Sequence, residues 1–118
     1  MAGTHVAMGG ARTPEELEVL FEDALVIGDG AALSGLFETG ATLAVGDERP
    51  ARGDEIPRLA LERWHGERTY VADPRRVIVA RDVALVVAER GVNVARRGAD
   101  GCWRYVIVCA DETERSEG

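Results

Sequence analysis

Between residues 14 and 28 the apolar side chains recur at helical spacing, with Leu17, Leu20, Phe21, Ala24 and Leu25 on one stripe. Glu15, Glu18, Glu22 and Asp23 are expected on the opposite, solvated side. Thr13-Pro14-Glu15-Glu16 marks the start of this helix. Thr13 can cap, Pro14 suits the first helical position, and Glu16 stands where a capping box needs an acid. Gly28 ends the helix by supplying a left-handed residue. Asp29 then opens a short second helix carrying Leu33, Leu36 and Phe37, which is expected to stop near Gly40. Ala41 to Val45 reads as a short strand, and Gly46 to Gly53, with Pro50 inside it, as a loop. Asp54 can cap a third helix in which Ile56, Leu59, Ala60 and Trp64 share a face. Pro57 is tolerated there because it falls in the first turn, and Gly66 stops the helix.

The second half changes period. Arg68 to Ala80 is rich in β-formers, with a bend expected at Asp73-Pro74. Arg81-Asp82 marks a turn, Val83 to Arg96 reads as one long strand, and Gly98-Ala99-Asp100-Gly101 as a hairpin turn before a last strand, Cys102 to Asp111. Three helices followed by an antiparallel meander, with one small strand between helices two and three, give an α+β domain. The expected domain spans residues 13–111, between disordered segments at 1–12 and 112–118. A sheet curved around a helix leaves a hollow at its open end, a natural site for a small ligand.

Composition changes this picture mainly by exclusion. At 118 residues the chain is one domain, and it contains no apolar run long enough to span a membrane. A net charge of −7 argues against nucleic acid, which needs concentrated positive charge. Arg75-Arg76 and Arg96-Arg97 are the only adjacent basic pairs, and they read as strand-end solvation. Cys102 and Cys109 lie in one strand. Seven residues of strand span about 23 Å, beyond the roughly 4.4–6.8 Å Cα separation of a disulfide, so the two cannot pair with each other. The amino-terminal residues lack the basic start and apolar run of an export signal, and a reducing, cytoplasmic setting is expected. No metal site is expected from two His and two Cys without a cluster. No cofactor is expected either, since neither a P-loop nor a dinucleotide fingerprint is present. Ser34 and Ser116 have no His near them in sequence to make a nucleophile.

Several phrases resemble the nuclear transport factor 2-like (ketosteroid isomerase-like) superfamily. They are Ala24-Leu25-Val26-Ile27-Gly28-Asp29, Leu36-Phe37 before Ala41-Thr42, Arg52-Gly53 leading into helix three, and Asp100-Gly101-Cys102-Trp103-Arg104-Tyr105. In this order they cover most of residues 13–111. The resemblance implies a cone-shaped, cystatin-like roll, with three helices packed in a strongly curved antiparallel sheet. It does not fix the activity. The superfamily includes steroid isomerases, polyketide cyclases, epoxide hydrolases, dehydratases and noncatalytic binding or assembly domains.

Steroid isomerisation needs an acidic base and an oxyanion hole of a Tyr and a protonated acid. The resemblance puts Phe21 at the Tyr position, Val45 at the base and Asn93 near the second acid, so two of three parts are missing. The expected function is therefore a pocket that binds a small, mostly apolar molecule, lined by Phe21, Leu25, Val45, Trp64, Asn93, Val106 and Val108. One alternative is an isomerase or polyketide cyclase-type enzyme using His65 or a carboxylate. Asp47, near the expected mouth, and Glu89, in an otherwise apolar strand, are the carboxylates in question. Glu48 and Asp54 share the loop with Asp47 and read as solvation and capping, and Asp73 as a turn residue. The other alternative is a noncatalytic dimerisation or interaction module. On the last strand, Trp103, Tyr105 and Ile107 share one face with Cys109, and the resemblance makes that face external. Such a face would not stay wet, and a homodimer formed through it is expected. Arg104, Val106, Val108 and Ala110 would then point inward.

Overall fold

The computed structural model of the chain describes residues 10–64, 74–88 and 91–110. The elements are α1 (Pro14–Ile27), α2 (Gly30–Gly35), β1 (Phe37–Val45), β2 (Ala51–Arg52), α3 (Glu55–Trp64), β3 (Pro74–Ala80), β4 (Val83–Ala88), β5 (Gly91–Arg97) and β6 (Trp103–Ala110). Among the described residues no helix is long and apolar enough to cross a membrane.

The start and stop of α1 follow its sequence. The Thr13 hydroxyl accepts from the Glu16 N–H at 3.0 Å. The Glu16 carboxylate reaches back one residue further than a capping box requires, to the Arg12 N–H at 2.7 Å. Gly28 sits at φ 83° and donates its N–H to the Ala24 carbonyl at 2.8 Å. The folded part begins before the cap. Ala11, expected in a disordered segment, is fully buried and bridges to Trp103.

The apolar stripe of α1 is wider than the periodicity alone suggested, because Glu18 belongs to it. Pro14, Leu17, Glu18, Phe21, Ala24 and Leu25 form the buried face, and Glu18 is only 1% exposed rather than solvated.

Two element boundaries differ from expectation. Helix α2 ends at Gly35, and Phe37 opens β1 instead of closing the helix. The Leu36 carbonyl accepts the Tyr105 N–H at 2.8 Å, so pairing with β6 competes successfully for this segment. The expected long strand 83–96 is two strands, with Ala88 paired to Gly91.

The sheet has six strands in the order β2-β1-β6-β5-β4-β3. It is mixed rather than wholly antiparallel. Strands β3 to β6 make the antiparallel meander, but β1 lies parallel to β6. A parallel neighbour requires a crossover, and the chain between β1 and β6 supplies it through β2, α3 and the first three meander strands.

Register assigns the two faces. Val86, Asn93, Val108 and Leu43 pair in one row, and Ala84, Ala95, Tyr105 and Phe37 in the next. All eight are buried against the helices. Between these rows β6 carries an extra residue. Val94 pairs with Ile107 and Ala95 with Tyr105, so Val106 has no counterpart on β5. A bulge of this kind reverses the alternation of side chains. It corrects the expected outer face: Trp103 is 5% exposed and Tyr105 not at all, while Ile107 beyond the bulge remains 42% exposed. Val108 and Ala110 are buried, whereas Arg104 is half-exposed and held by Asp100.

Candidate functional site

Inside the sheet the core is apolar except at one point, and an aromatic group lies at its centre. Phe21 of α1 makes edge-on contacts with Phe37, Tyr105 and Trp64 at centroid separations of 5.9, 5.3 and 6.2 Å. Phe37 and Tyr105 lie 5.3 Å apart. Into this apolar setting α1 delivers the Glu18 carboxylate. The Tyr105 hydroxyl donates to Glu18 Oε2 at 2.5 Å, and the Asn93 amide donates to the same oxygen at 2.9 Å.

Each partner arrives by a separate local cause. Glu18 is three residues before Phe21 and seven before Leu25, on the buried stripe. Asn93 occupies an inner position of β5. Tyr105 faces inward because the bulge at Val106 sets its phase. A carboxylate taken out of water costs several kcal/mol, and charge-assisted bonds of about 1.5–3 kcal/mol each offset part of that. The cluster is thus a polar knot in the core, which selects one arrangement of α1, β5 and β6.

Phe21 and Val108 are fully buried, Leu25 and Val45 are 2% exposed, and Asn93 is 4% exposed. Trp64 and Val106 are half-buried. Asp47 is exposed in the turn after β1. Next to it Glu48 pairs with Arg63 of α3, tying that turn to the helix. Asp54 is exposed just before α3. His65, Asp73 and Glu89 lie outside the described residues. Among the described residues no three His, Cys, Asp or Glu side chains gather as a metal site.

Sequence reasoning passed over Glu18 and Tyr105. For Glu18 the signal was present: its spacing from Leu17, Phe21 and Leu25 is that of the buried face. For Tyr105 there was none, because a bulge leaves no clear mark in the continuous apolar run Val106 to Ala110 that follows it.

The outer face carries a different chemistry. Ile78, Leu85, Val94 and Ile107 stand in one cross-strand row over four strands. Ile78, Leu85 and Ile107 are 45%, 37% and 42% exposed. The next row adds Val87, Val92 and the exposed Cys109, with the exposed Arg76 at its β3 end. At the opposite end charges close the patch. Arg96 grips Glu38 with two bonds of 2.9 Å, and Arg104 donates to Asp100 at 2.8 and 3.2 Å. The Asp100 carboxylate is lowered to about 2, chiefly by Arg104 and then by the Cys102 N–H. A depressed carboxylate contributes stability that is present above its ordinary value of 3.8 and lost as pH falls toward 2. An NMR titration of the Asp100 carboxyl carbon should therefore show its midpoint near 2. Arg104→Gln should move that midpoint up toward the ordinary value. A midpoint unmoved by the substitution would refute the pairing.

No protein-family model and no curated protein matches the sequence. Solved structures do match the fold. A candidate calcium/calmodulin-dependent protein kinase type II association domain from Thiobacillus denitrificans superposes with a TM-score of 0.67 at 17% identity, covering 87% of this chain and 97% of that one. An NTF2-like protein with a cystatin-like fold from Novosphingobium aromaticivorans gives 0.62 at 18% identity, over 87% of this chain and 81% of that one. A ketosteroid isomerase-like protein from Erwinia carotovora atroseptica gives 0.61 at 15% identity, over 82% and 91%. The architecture is α+β, with three helices on an open six-stranded mixed sheet, and the fold is nuclear transport factor 2-like.

Proposed function

We propose that this nuclear transport factor 2-like domain is a noncatalytic homodimeric module, in which two copies pair through the outer faces of their sheets. The observation that carries this is the row Ile78–Leu85–Val94–Ile107, apolar across four hydrogen-bonded strands and open to solvent in the single chain. Large apolar patches of this kind mark interfaces. A second copy of the same sheet offers a surface of matching shape, and a stable pair needs about 800 Å² per partner, a patch of four strands by several residues. A structurally similar protein carries the name of an association domain, which agrees with this use of the fold. The interface differs from one built on Trp103 and Tyr105, which are core residues here; only Ile107 is common to both. The free thiols of Cys102 and Cys109 suit a reducing cytoplasm.

A second reading places a small, mostly apolar molecule in the interior, entering past Trp64 and Val106. The Glu18–Asn93–Tyr105 cluster favours it, since a polar point in an apolar interior is how small-ligand sites fix orientation. Phe21 can neither donate nor accept a proton, and neither can Val45, so the steroid isomerase set is absent from those positions.

Native mass spectrometry of the full chain at micromolar concentration tests both readings. The expected result is twice the chain mass, reduced to the single chain mass in the double variant Leu85→Glu/Ile107→Glu. A monomeric wild type would overturn the dimer. A persistent small-molecule adduct that is lost in Trp64→Ala would favour the second reading, and its absence would count against it.

A further inference from the structure

A groove of about 440 Å³ lies where α1, α2 and the β5–β6 turn meet, apart from both the interior cluster and the outer sheet row. It exists because Gly28, in the left-handed conformation, turns the chain sharply between the two helices. The side chains at that corner are also small, among them Ala24, Ala31 and Ala32. Leu20 and Leu36 make its apolar floor, and Ile27 stands at its edge 73% exposed, a large side chain with little to pack against.

The charges around this groove are unequal. Among the described residues that line it Arg104 is the one cation, and both of that guanidinium's terminal nitrogens are engaged by Asp100. Asp29 accepts the Ala32 N–H at 3.0 Å, a backbone donor that brings no formal charge. Asp23 makes no ion pair with any described residue. No described cation compensates these two carboxylates beside the apolar floor, on a chain whose net charge is −7. That field draws cations in and turns anions away.

We infer that the groove at the α1–α2 corner is a binding site for a small organic cation, a protonated amine carried on an apolar body. The apolar body covers Leu20, Leu36 and Ile27, and the ammonium group lies toward Asp23 and Asp29. The site shares no residue with the Ile78–Ile107 row, and only the Asp100–Arg104 pair borders both.

An amide-resolved NMR titration of the full chain tests this with three probes of one shape: 2-phenylethylammonium, the neutral 2-phenylethanol and the anionic 3-phenylpropanoate. The amides of Leu20, Ala24, Ile27 and Ala32 should shift together. Two exposed charge contacts make the ammonium bind about tenfold tighter than the alcohol, with the carboxylate weakest. Asp23→Asn should weaken the ammonium about threefold and leave the alcohol unchanged. Ala32→Phe, which fills the groove from an exposed helix position, should abolish binding of both, with its circular dichroism spectrum confirming the fold. Equal affinity for ammonium and alcohol, shifts confined to other amides, or an Asp23→Asn variant that binds as the wild type does would each overturn the proposal.

Discussion

Replacing Gly91 with alanine should destabilise the domain by about 2–4 kcal/mol, a large share of the stability of a chain this size. The reason is space, since Gly91 does not adopt a left-handed backbone. A β-carbon built there would fall 2.2 Å from the Cys109 carbonyl oxygen and 3.1 Å from the Ala110 α-carbon. Both are backbone atoms of β6, and neither can turn aside as a flexible side chain would. Gly91 pairs directly with Ala110, so the clash would force β5 and β6 apart at the end of their ladder. The sign is informative. Where space allows, Gly→Ala commonly stabilises by about 0.4–1 kcal/mol through the unfolded chain. Gly35, at the end of α2, has nothing within 4 Å of a built β-carbon, and Gly35→Ala should show that opposite sign. Urea denaturation of the two variants beside the wild type measures both. Gly91→Ala at wild-type stability would mean that β5 and β6 do not approach as closely as described.

Gly91 also shows what could be read in advance. A run of fourteen strand-forming residues from Val83 to Arg96 offers one long strand by propensity, and the glycine is its only punctuation. Here the glycine marks both the start of a new strand and a close backbone approach. The helices were legible because their signals are local: Thr13 and Gly28 bracket α1, and Asp29 opens α2 through its bond to the Ala32 N–H. The parallel pairing of β1 with β6 was not legible. It joins segments separated by about half of the chain, and nothing within Phe37 to Val45 specifies the direction of a partner. Phe37 itself fits a helical spacing from Leu33 equally well. Only the bond from the Tyr105 N–H to the Leu36 carbonyl, made across the fold, decides for the strand.

The candidate site divides the same way. Asn93 was accessible to inference because inward alternation along β5 carries it to the core. Tyr105 was assigned to the wrong face because one extra residue at Val106 reverses every position on one side of it. Phe21, Leu25, Val45 and Val108 were identifiable as interior residues from their apolar character. That character does not tell a filled core from an open pocket, and what the structure adds is that their side chains are almost wholly covered in the single chain.

Removing both described donors to Glu18, in the double variant Asn93→Val/Tyr105→Phe, should cost about 3–5 kcal/mol, because each hydrogen bond to a carboxylate contributes about 1.5–3 kcal/mol. The carboxylate would lose the bonds of 2.9 and 2.5 Å that hold Oε2 and would remain in an apolar interior. Adding Glu18→Leu to that pair should restore much of the loss, because a leucine at a position 1% exposed gains burial where the carboxylate paid desolvation. A third substitution that stabilises a damaged protein is the signature of a coupled polar cluster, since independent contacts would make each removal worse than the last. Guanidinium unfolding of the double and triple variants reads the difference directly. A triple variant less stable than the double would show that Glu18 does not depend on Asn93 and Tyr105. The ordering also bears on function. If the triple variant is as stable as the wild type and still dimeric, the acid is dispensable to both fold and association. Retaining it at a cost to stability would then point to something recognised inside the sheet, as the interior-ligand reading requires.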